Sequence, residues 1–235
     1  MDAADSGTAE SPLAILVDDD AAVRDALEEL LNSVGIDAIS FSSSQELLDA
    51  KLPDRPACLV LDVRMPGLSG LDLQHCLATK GILTPIVFLT GHGDIAMSVQ
   101  AMKAGAVDFL TKPVRDQTFL DAVSAAIATD ISRRAASTVS RKYIALYETL
   151  TPRERQVLQL VVSGAMNKQI AFDLGISEIT VKLHRSNMMR KMDARSITHL
   201  YTAWQSLPSE IRGAPVEGMA PVAGNIEPQS SARLQ

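Results

Sequence analysis

The first half of the chain alternates continuous apolar runs with helical patterns, and this alternation restricts the possible folds more than any other feature. The run LAILV (13–17) precedes the helical pattern AAVRDALEELLN (21–32), and four further pairs of the same kind follow. A run that is apolar at every position indicates a strand buried on both faces. The pattern therefore predicts an α/β fold, a doubly wound sheet of five parallel strands that ends near residue 130.

The two halves of the chain differ in charge as well as in pattern. Residues 1–130 contain 8 Lys and Arg against 20 Asp and Glu, whereas residues 131–235 contain 14 against 8. A basic half is a candidate for contact with nucleic acid, so we expect different partners for the two halves. Pattern and composition predict a disordered N-terminus (1–11), a first domain (12–130) and a linker (131–148). A small all-α domain (149–205) and a disordered tail (206–235) are predicted to follow.

Composition and cysteine usage point to a cytoplasmic protein. No apolar run reaches the roughly 18 residues that a membrane-spanning helix needs, and the acidic N-terminus lacks a signal-peptide pattern. Cys58 and Cys76 match neither a disulfide framework nor a CxxC pattern, and both are expected to be small packing residues. We therefore expect a soluble protein, without membrane contact, in the reducing cytoplasm.

The second half has helical patterns only. A capping box formed by Thr151 and Glu154 predicts the start of its first helix. Asn167 and Ser177 are candidate N-caps of the next two helices, which form a helix–turn–helix pair across a glycine. A fourth helix (196–204) is predicted to place four side chains on one side, Ile197, Leu200, Tyr201 and Trp204. The pattern predicts a small helix–turn–helix domain.

Five polar residues of the first domain stand directly after predicted strands, where the ligands of doubly wound sheets bind. They are Asp18, Asp19, Asp62, Thr90 and Lys112. Three carboxylates at one edge repel one another unless a cation is bound, and oxygen ligands suit Mg²⁺. A lysine and a hydroxyl beside them can hold phosphoryl oxygens, so the set predicts an aspartate that accepts phosphate as an acyl phosphate. The alternative is that the acidic residues only cap helices, as Asp20 is expected to do.

Four motifs in this order, VDDD, LDVRMPG, FLTGHGD and AVDFLTKP, resemble the receiver domain of bacterial two-component response regulators. The segment AMKAGAVDFLTKP is especially similar to the FixJ subgroup of the FixJ/NarL family. The resemblance covers residues 12–130 and implies that Asp62 is the phosphoacceptor. It also implies that Asp18 and Asp19 hold Mg²⁺ and that Arg64 adds its backbone carbonyl to the metal.

The same resemblance implies a switch beside the phosphoacceptor. Thr90 would be the switch hydroxyl, Phe109 the aromatic side chain that changes rotamer, and Lys112 the partner of the phosphoryl group. Gly91 would leave room for the phosphodonor to enter. The implied dimer face is formed by the fourth helix and the fifth strand, near Met102, Lys103, Val107 and Arg115.

The third helix of the all-α domain carries a polar and cationic stripe opposite Val181 and Met188, which are expected to face the core. A helix that reads base edges in the major groove needs such a stripe. The stripe consists of Lys182, Leu183, Ser186, Asn187 and Arg190. Helix N-termini and further side chains are expected to contact phosphates, namely Lys168, Thr180 and Arg185.

The spacing alone fits a helical bundle with a solvated basic face equally well. The segments LTPRERQVLQLVVSG, NKQIA and ISEITVKLHRSNMMRKM, however, are similar to the LuxR-type DNA-binding domain of the same regulators, over about residues 149–205. The two resemblances together imply a response regulator that a sensor histidine kinase phosphorylates on Asp62. The phosphorylated form would dimerise, bind promoter DNA and regulate transcription by RNA polymerase.

Two alternatives remain, and one of them belongs to another functional class. A phosphatase that works through an aspartyl phosphate resembles the haloacid-dehalogenase enzymes, which need a second Asp two residues after the nucleophile. This chain has Arg64 at that position, so we expect no turnover on external substrates. The second alternative is a regulator that binds DNA constitutively and uses its first domain only for docking.

Overall fold

Parallel strands form the centre of the N-terminal part of the protein. The computed structural model describes residues 11–91 and 94–213, in two compact units divided between Ala135 and Ala136. The strands of the first unit are β1 (Leu13–Val17), β2 (Asp37–Phe41), β3 (Ala57–Leu61), β4 (Ile86–Thr90) and β5 (Asp108–Thr111). They pair in parallel in the order β2-β1-β3-β4-β5. This order is that of flavodoxin-like sheets, so the predicted fold class is confirmed.

Helices on both faces of the sheet explain why its three central strands are so apolar. β1, β3 and β4 are buried at every position. Ile15 and Val17 lie in the apolar cluster on one face, whereas Ala14 and Leu16 lie in the cluster on the other. The helices of this unit are α1 (Ala21–Ser33), α2 (Ser44–Asp49), α3 (Gly70–Thr79), α4 (Ile95–Lys103) and α5 (Asp116–Glu148). α1 and α5 cover one face, and α2, α3 and α4 cover the other.

α5 continues through the segment that was predicted as a linker. Between Asp116 and Glu148 the chain has no Gly or Pro and is rich in Ala, so the sequence contains no residue that would end the helix. Tyr143 and Tyr147 are buried in the apolar core of the second unit. The end of the predicted linker therefore packs as part of the domain that follows it.

A buried carboxylate connects α5 to the start of β3. Asp130 is fully buried, accepts a hydrogen bond from the Ala57 amide at 3.0 Å, and pairs with Arg133 and Arg134. Burial raises the pKa of this carboxyl, but the hydrogen bonds from Arg134, Arg133 and Ala57 outweigh that effect and hold the pKa below its ordinary value. Asp130 is therefore charged in the folded protein, and no sequence motif pointed to it.

The second unit is entirely helical where the structure describes it. Its further helices are α6 (Pro152–Val162), α7 (Asn167–Leu174), α8 (Glu178–Lys191), α9 (Ile197–Gln205) and α10 (Ser209–Gly213). The predicted capping box is present, since the Thr151 hydroxyl accepts from the Glu154 amide at 3.3 Å and the Glu154 carboxylate accepts from the Thr151 amide at 2.8 Å. Gly175 ends α7 with a φ of 63°, a left-handed conformation that glycine adopts without steric cost.

The structure corrects the predicted cap of α7. Met166 occupies the N-cap position, and its amide donates to the Gln169 side chain at 2.7 Å. Asn167 lies one residue later and accepts a hydrogen bond from Arg185 instead. The capping prediction was wrong because the long-range partner of the Asn167 side chain cannot be read from local sequence.

The C-terminal end also differs from the prediction. In α9, Leu200 and Trp204 are buried, but Ile197 and Tyr201 remain 44% and 49% exposed, so the buried side is narrower than expected. The predicted disordered tail begins too early, because Leu207 is buried in the core and α10 follows it. Residues 1–10 of the predicted disordered N-terminus and residues 214–235 of the predicted tail lie outside the described residues. In the described ranges, no helix combines the length and the apolar character needed to cross a bilayer.

Candidate functional site

Acidic side chains and one lysine meet at the carboxyl ends of the central strands. Asp18 follows β1 and Asp62 follows β3, and both are buried to more than nine-tenths. Carboxylate oxygens of Asp18, Asp19 and Asp62 lie within 4.8 Å of one another. The Lys112 Nζ atom, directly after β5, lies 2.5 Å from Asp18 Oδ2 and 3.6 Å from Asp62 Oδ2. The structure thus brings together four of the five residues predicted from strand ends.

A backbone amide and a guanidinium hold Asp18 in place. The Asp18 side chain accepts a hydrogen bond from the Asp20 amide at 3.0 Å, and Arg24 donates to the Asp18 carbonyl at 2.6 Å. Asp20 also caps α1 as predicted, accepting from the Ala22 amide at 2.9 Å. Asp18 and Asp20 therefore have different tasks, and the capping alternative applies to Asp20 but leaves the buried pair Asp18 and Asp62 unexplained.

The loop after Asp62 is held tightly against α3. The Asp62 amide donates to the Val17 carbonyl at 2.9 Å, and the Gly70 amide donates to the Val63 carbonyl at 3.0 Å. A Cβ atom at Gly70 would stand 2.2 Å from the Asp62 carbonyl oxygen, so only glycine fits there. The sequence analysis missed Gly70. The available signal was a glycine at the first position of α3, directly after the Ser69 N-cap.

Thr90 and Phe109 lie on the neighbouring strands. Thr90 ends β4 and is fully buried, and its carbonyl accepts from the Lys112 amide at 2.8 Å. Phe109 is half-buried in β5, beside Phe88 of β4, with 5.9 Å between the ring centroids. Arg64 is exposed, and its amide lies 3.3 Å from Asp62 Oδ1. Both predicted switch residues are therefore on the strand pair that ends at Lys112.

The electrostatic balance of this pocket is negative. Among the described residues, three carboxylates meet the Lys112 ammonium, which already pairs with Asp18, and the Arg24 guanidinium, which donates to the Asp18 carbonyl. The cluster is made entirely of oxygen donors, and two of its carboxylates are buried, so it fits a hard divalent cation such as Mg²⁺. A cation and the lysine together can neutralise a phosphoryl group at Asp62.

In the second unit, α8 packs by one side and exposes the other. Val181 and Met188 are fully buried in the core. Of the five predicted base-reading residues, Asn187 is half-buried and the rest are exposed, namely Lys182, Leu183, Ser186 and Arg190. The side of α8 that carries the predicted stripe is thus open to a ligand.

Two of the predicted phosphate contacts already have protein partners. Arg185 donates to the Asn167 side chain at 2.9 Å and so ties α8 to the start of α7. The Thr180 hydroxyl lies 2.8 Å from the Ser177 hydroxyl, inside the N-cap of α8. Lys168 is exposed in the first turn of α7. A guanidinium has five N–H donors, so the bond to Asn167 is compatible with a phosphate contact.

An ion pair that the sequence did not predict holds α8 against α6. The Lys191 Nζ atom lies 2.7 Å from Glu154 Oε2, and Glu154 is 3% exposed. Burial raises the pKa of the Glu154 carboxyl, but the hydrogen bonds from Lys191 and Thr151 outweigh it, so the pKa is lowered overall. The capping glutamate thus has a second task, which is to fix the C-terminal end of α8 against α6.

Comparison with known proteins gives matches over both units. Residues 14–124 match the family model of the response regulator receiver domain, and residues 148–203 match that of the bacterial regulatory proteins of the luxR family. The chain is similar to Nodulation protein W of Bradyrhizobium diazoefficiens, at 51% identity over 83% of this chain and 86% of that protein. It is 41% identical to Transcriptional regulatory protein TdiR of Thauera aromatica, over 94% of this chain and 98% of that protein.

Solved structures give the same result. The response regulator StyR is 46% identical with a TM-score of 0.72, over 83% of this chain and 98% of StyR. Full-length FixJ from B. japonicum is 38% identical with a TM-score of 0.52, over 85% of this chain and 98% of FixJ.

Proposed function

The chain belongs to the response regulators that join a receiver domain to a LuxR-type DNA-binding domain, and we propose that a sensor histidine kinase phosphorylates it on Asp62. One observation carries the proposal. Asp62 is buried among two further carboxylates, and Lys112 Nζ lies 3.6 Å from its Oδ2 atom. A lysine placed there can neutralise the charge of an incoming phosphoryl group.

In the proposed reaction an Asp62 carboxylate oxygen attacks the phosphorus of the kinase's phosphohistidine. The O–P bond forms as the N–P bond breaks, and the electron pair of that bond stays on the imidazole nitrogen. Lys112 donates to a phosphoryl oxygen, while the bonds that fix Asp18 and Gly70 keep the surrounding backbone in place. The product is an acyl phosphate on the chain itself, so no external substrate is turned over.

The acidic cluster supports a requirement for Mg²⁺. Asp18, Asp19 and Asp62 would hold the ion, together with the backbone carbonyl of Arg64. When bound, it supplies positive charge that reduces the repulsion between the carboxylates and the phosphoryl oxygens.

The proposed output begins at the strand pair that carries Thr90 and Phe109. We infer that the Thr90 hydroxyl bonds the phosphoryl group and that Phe109 repacks beside it, which changes the surface of α4 and β5. Three apolar side chains spaced along the outside of α4 support this surface as a dimer face: Ile95, Val99 and Met102 are 84%, 45% and 46% exposed. Lys103, Val107 and Arg115 complete the predicted face.

The dimer would bind promoter DNA in the cytoplasm through α8, placing two recognition helices in successive major grooves. Exposed Lys182, Ser186 and Arg190 support contact with base edges, and exposed Lys168 supports contact with phosphate. Recruitment of RNA polymerase would convert binding into regulation of transcription.

Intact-mass spectrometry tests the phosphorylation step. Incubation with acetyl phosphate and Mg²⁺ should add one phosphoryl group, and either EDTA or Asp62→Asn should abolish the addition. Asp25→Asn, an exposed carboxylate of α1, is the matched control and should be phosphorylated normally. Persistent labelling of Asp62→Asn would contradict the assignment.

DNA binding before and after phosphorylation separates the proposal from constitutive binding. Affinity for promoter DNA and the monomer–dimer equilibrium should both shift on phosphorylation, and Met102→Asp should prevent the shift while leaving labelling intact. Equal affinity and an unchanged equilibrium in the two states would favour the constitutive regulator.

A further inference from the structure

Two branched apolar side chains lie on the exposed side of the recognition helix α8. Ile179 is 79% exposed and Leu183 is 60% exposed, whereas Val181 between them is fully buried. Side chains four residues apart on a helix stand one above the other on the same side. Ile179 and Leu183 therefore form a continuous apolar patch in the first two turns of α8, which we name the apolar pair.

Packing within the second unit does not account for the apolar pair. The core described for this unit includes Val181, Met188 and Met192 from α8, but neither Ile179 nor Leu183 belongs to it or packs against it. Both side chains could bury apolar surface against a ligand without any change in the packing of the core. The apolar pair is thus available for an intermolecular contact.

The surroundings of the apolar pair indicate what covers it. Ser186 and Arg190 continue the same side of the helix at spacings of three and four residues, and Lys182 flanks it. A small apolar patch inside a polar and cationic surface is suited to a groove lined by base edges and bordered by phosphates. The N-terminal residues of a recognition helix are the ones that contact base edges, and Ile179 is the second residue of α8.

We propose that Ile179, together with Leu183, reads the 5-methyl groups of thymine in the major groove and so determines part of the operator sequence. Among the groups that base pairs present in that groove, the thymine methyl is the one that an apolar side chain can recognise. The proposal rests on the proposed function, because it requires α8 to lie in the major groove. It adds Ile179, which is not among the predicted base-reading residues, as a residue that selects sequence.

Deoxyuridine provides a direct probe, because it pairs as thymidine does and lacks only the methyl group. Full-length protein treated with acetyl phosphate would first select sites from a random duplex library. Each thymidine of a selected site would then be replaced singly by deoxyuridine. Kd would be measured by fluorescence anisotropy for the wild type, Ile179→Ala, Leu183→Ala and the control Ile197→Ala, an isoleucine of α9 that is 44% exposed.

Burial of one methyl group corresponds to about a fourfold change in affinity. We expect deoxyuridine at one or two positions per half-site to weaken wild-type binding about fourfold. Ile179→Ala should weaken binding to the thymidine duplex and remove the penalty for deoxyuridine at its own position. Ile197→Ala should leave the wild-type penalty unchanged, whatever its effect on overall affinity.

The two proposals fail in different ways. Selected sites that bind equally with thymidine and deoxyuridine, or a deoxyuridine penalty of the same size in wild type and Ile179→Ala, would overturn the role of Ile179 while leaving DNA reading by α8 intact. A library that yields no enriched sequence would overturn DNA reading by α8 and the role of Ile179 with it.

Discussion

Gly70→Ala should damage the phosphoacceptor pocket although alanine is the better helix former. The added Cβ would stand 2.2 Å from the Asp62 carbonyl oxygen, where ordinary contacts begin at 3.4 Å. The Asp62 oxygen belongs to the backbone and a Cβ atom is fixed rigidly to it, so α3 and the Asp62 loop must separate by about 1 Å. Overpacking of this kind costs about 3 kcal/mol, which exceeds even the roughly 1 kcal/mol that alanine gains over glycine in a helix interior, and Gly70 is only the first residue of α3.

The displacement also affects the chemistry. A shift of about 1 Å between reacting groups lowers a reaction rate by about 100-fold, so phosphorylation of Gly70→Ala by acetyl phosphate should be slower by that order. The rate would be followed by intact-mass spectrometry. Urea unfolding would establish the free energy of unfolding and the conditions under which the variant is folded.

Gly67→Ala is the matched control in the same loop. Gly67 has a φ of +84°, so alanine is strained there by about 1–2 kcal/mol, but no atom lies within 4 Å of its Cβ position. It should lose stability and keep a nearly normal phosphorylation rate. Wild-type stability and rate in Gly70→Ala would refute the close approach. Equal slowing in both variants would show that stability, and not the position of Asp62, controls the rate.

Three further predictions concern titratable groups. Because the folded-state pKa of Asp130 is lowered, its contribution to stability is present above pH about 4 and is lost as pH falls through that folded-state pKa. Asp130→Asn should remove this pH dependence. In urea unfolding at pH 7, the variant should lose about 3 kcal/mol of free energy of unfolding. Lys191→Met should leave Glu154 buried without its cation and destabilise the second unit by about 2 kcal/mol. The unfolding of this unit can be measured by the fluorescence of the single tryptophan. Burial raises the pKa of Cys58 to about 12, so iodoacetamide at pH 8 should label half-buried Cys76 and spare Cys58 until urea is added.

Local sequence was sufficient for the sheet and for much of the pocket. Runs that are apolar at every position require burial on both faces, and parallel strands bring their carboxyl ends to one edge. For this reason Asp18, Asp62 and Lys112, far apart in the chain, could be predicted to meet, and the structure places them together. The capping box of α6 could be predicted in the same way, because its two hydrogen bonds join residues three positions apart.

Other features depended on distances between elements that are remote in sequence. The close approach of Gly70 to the Asp62 carbonyl, the pairing of Arg185 with Asn167, and the hydrogen bond of Asp130 to the start of β3 all join separate elements. Periodicity tells which side of an element is buried, but it contains no information on how closely two backbones approach or which polar groups meet. The sequence by itself therefore determined that five parallel strands form a doubly wound sheet, and it determined the chemistry at the strand ends. Only tertiary packing decided that Tyr143 and Tyr147, near the end of α5, are buried in the core of the second unit, and that Ile179 remains on the open side of α8.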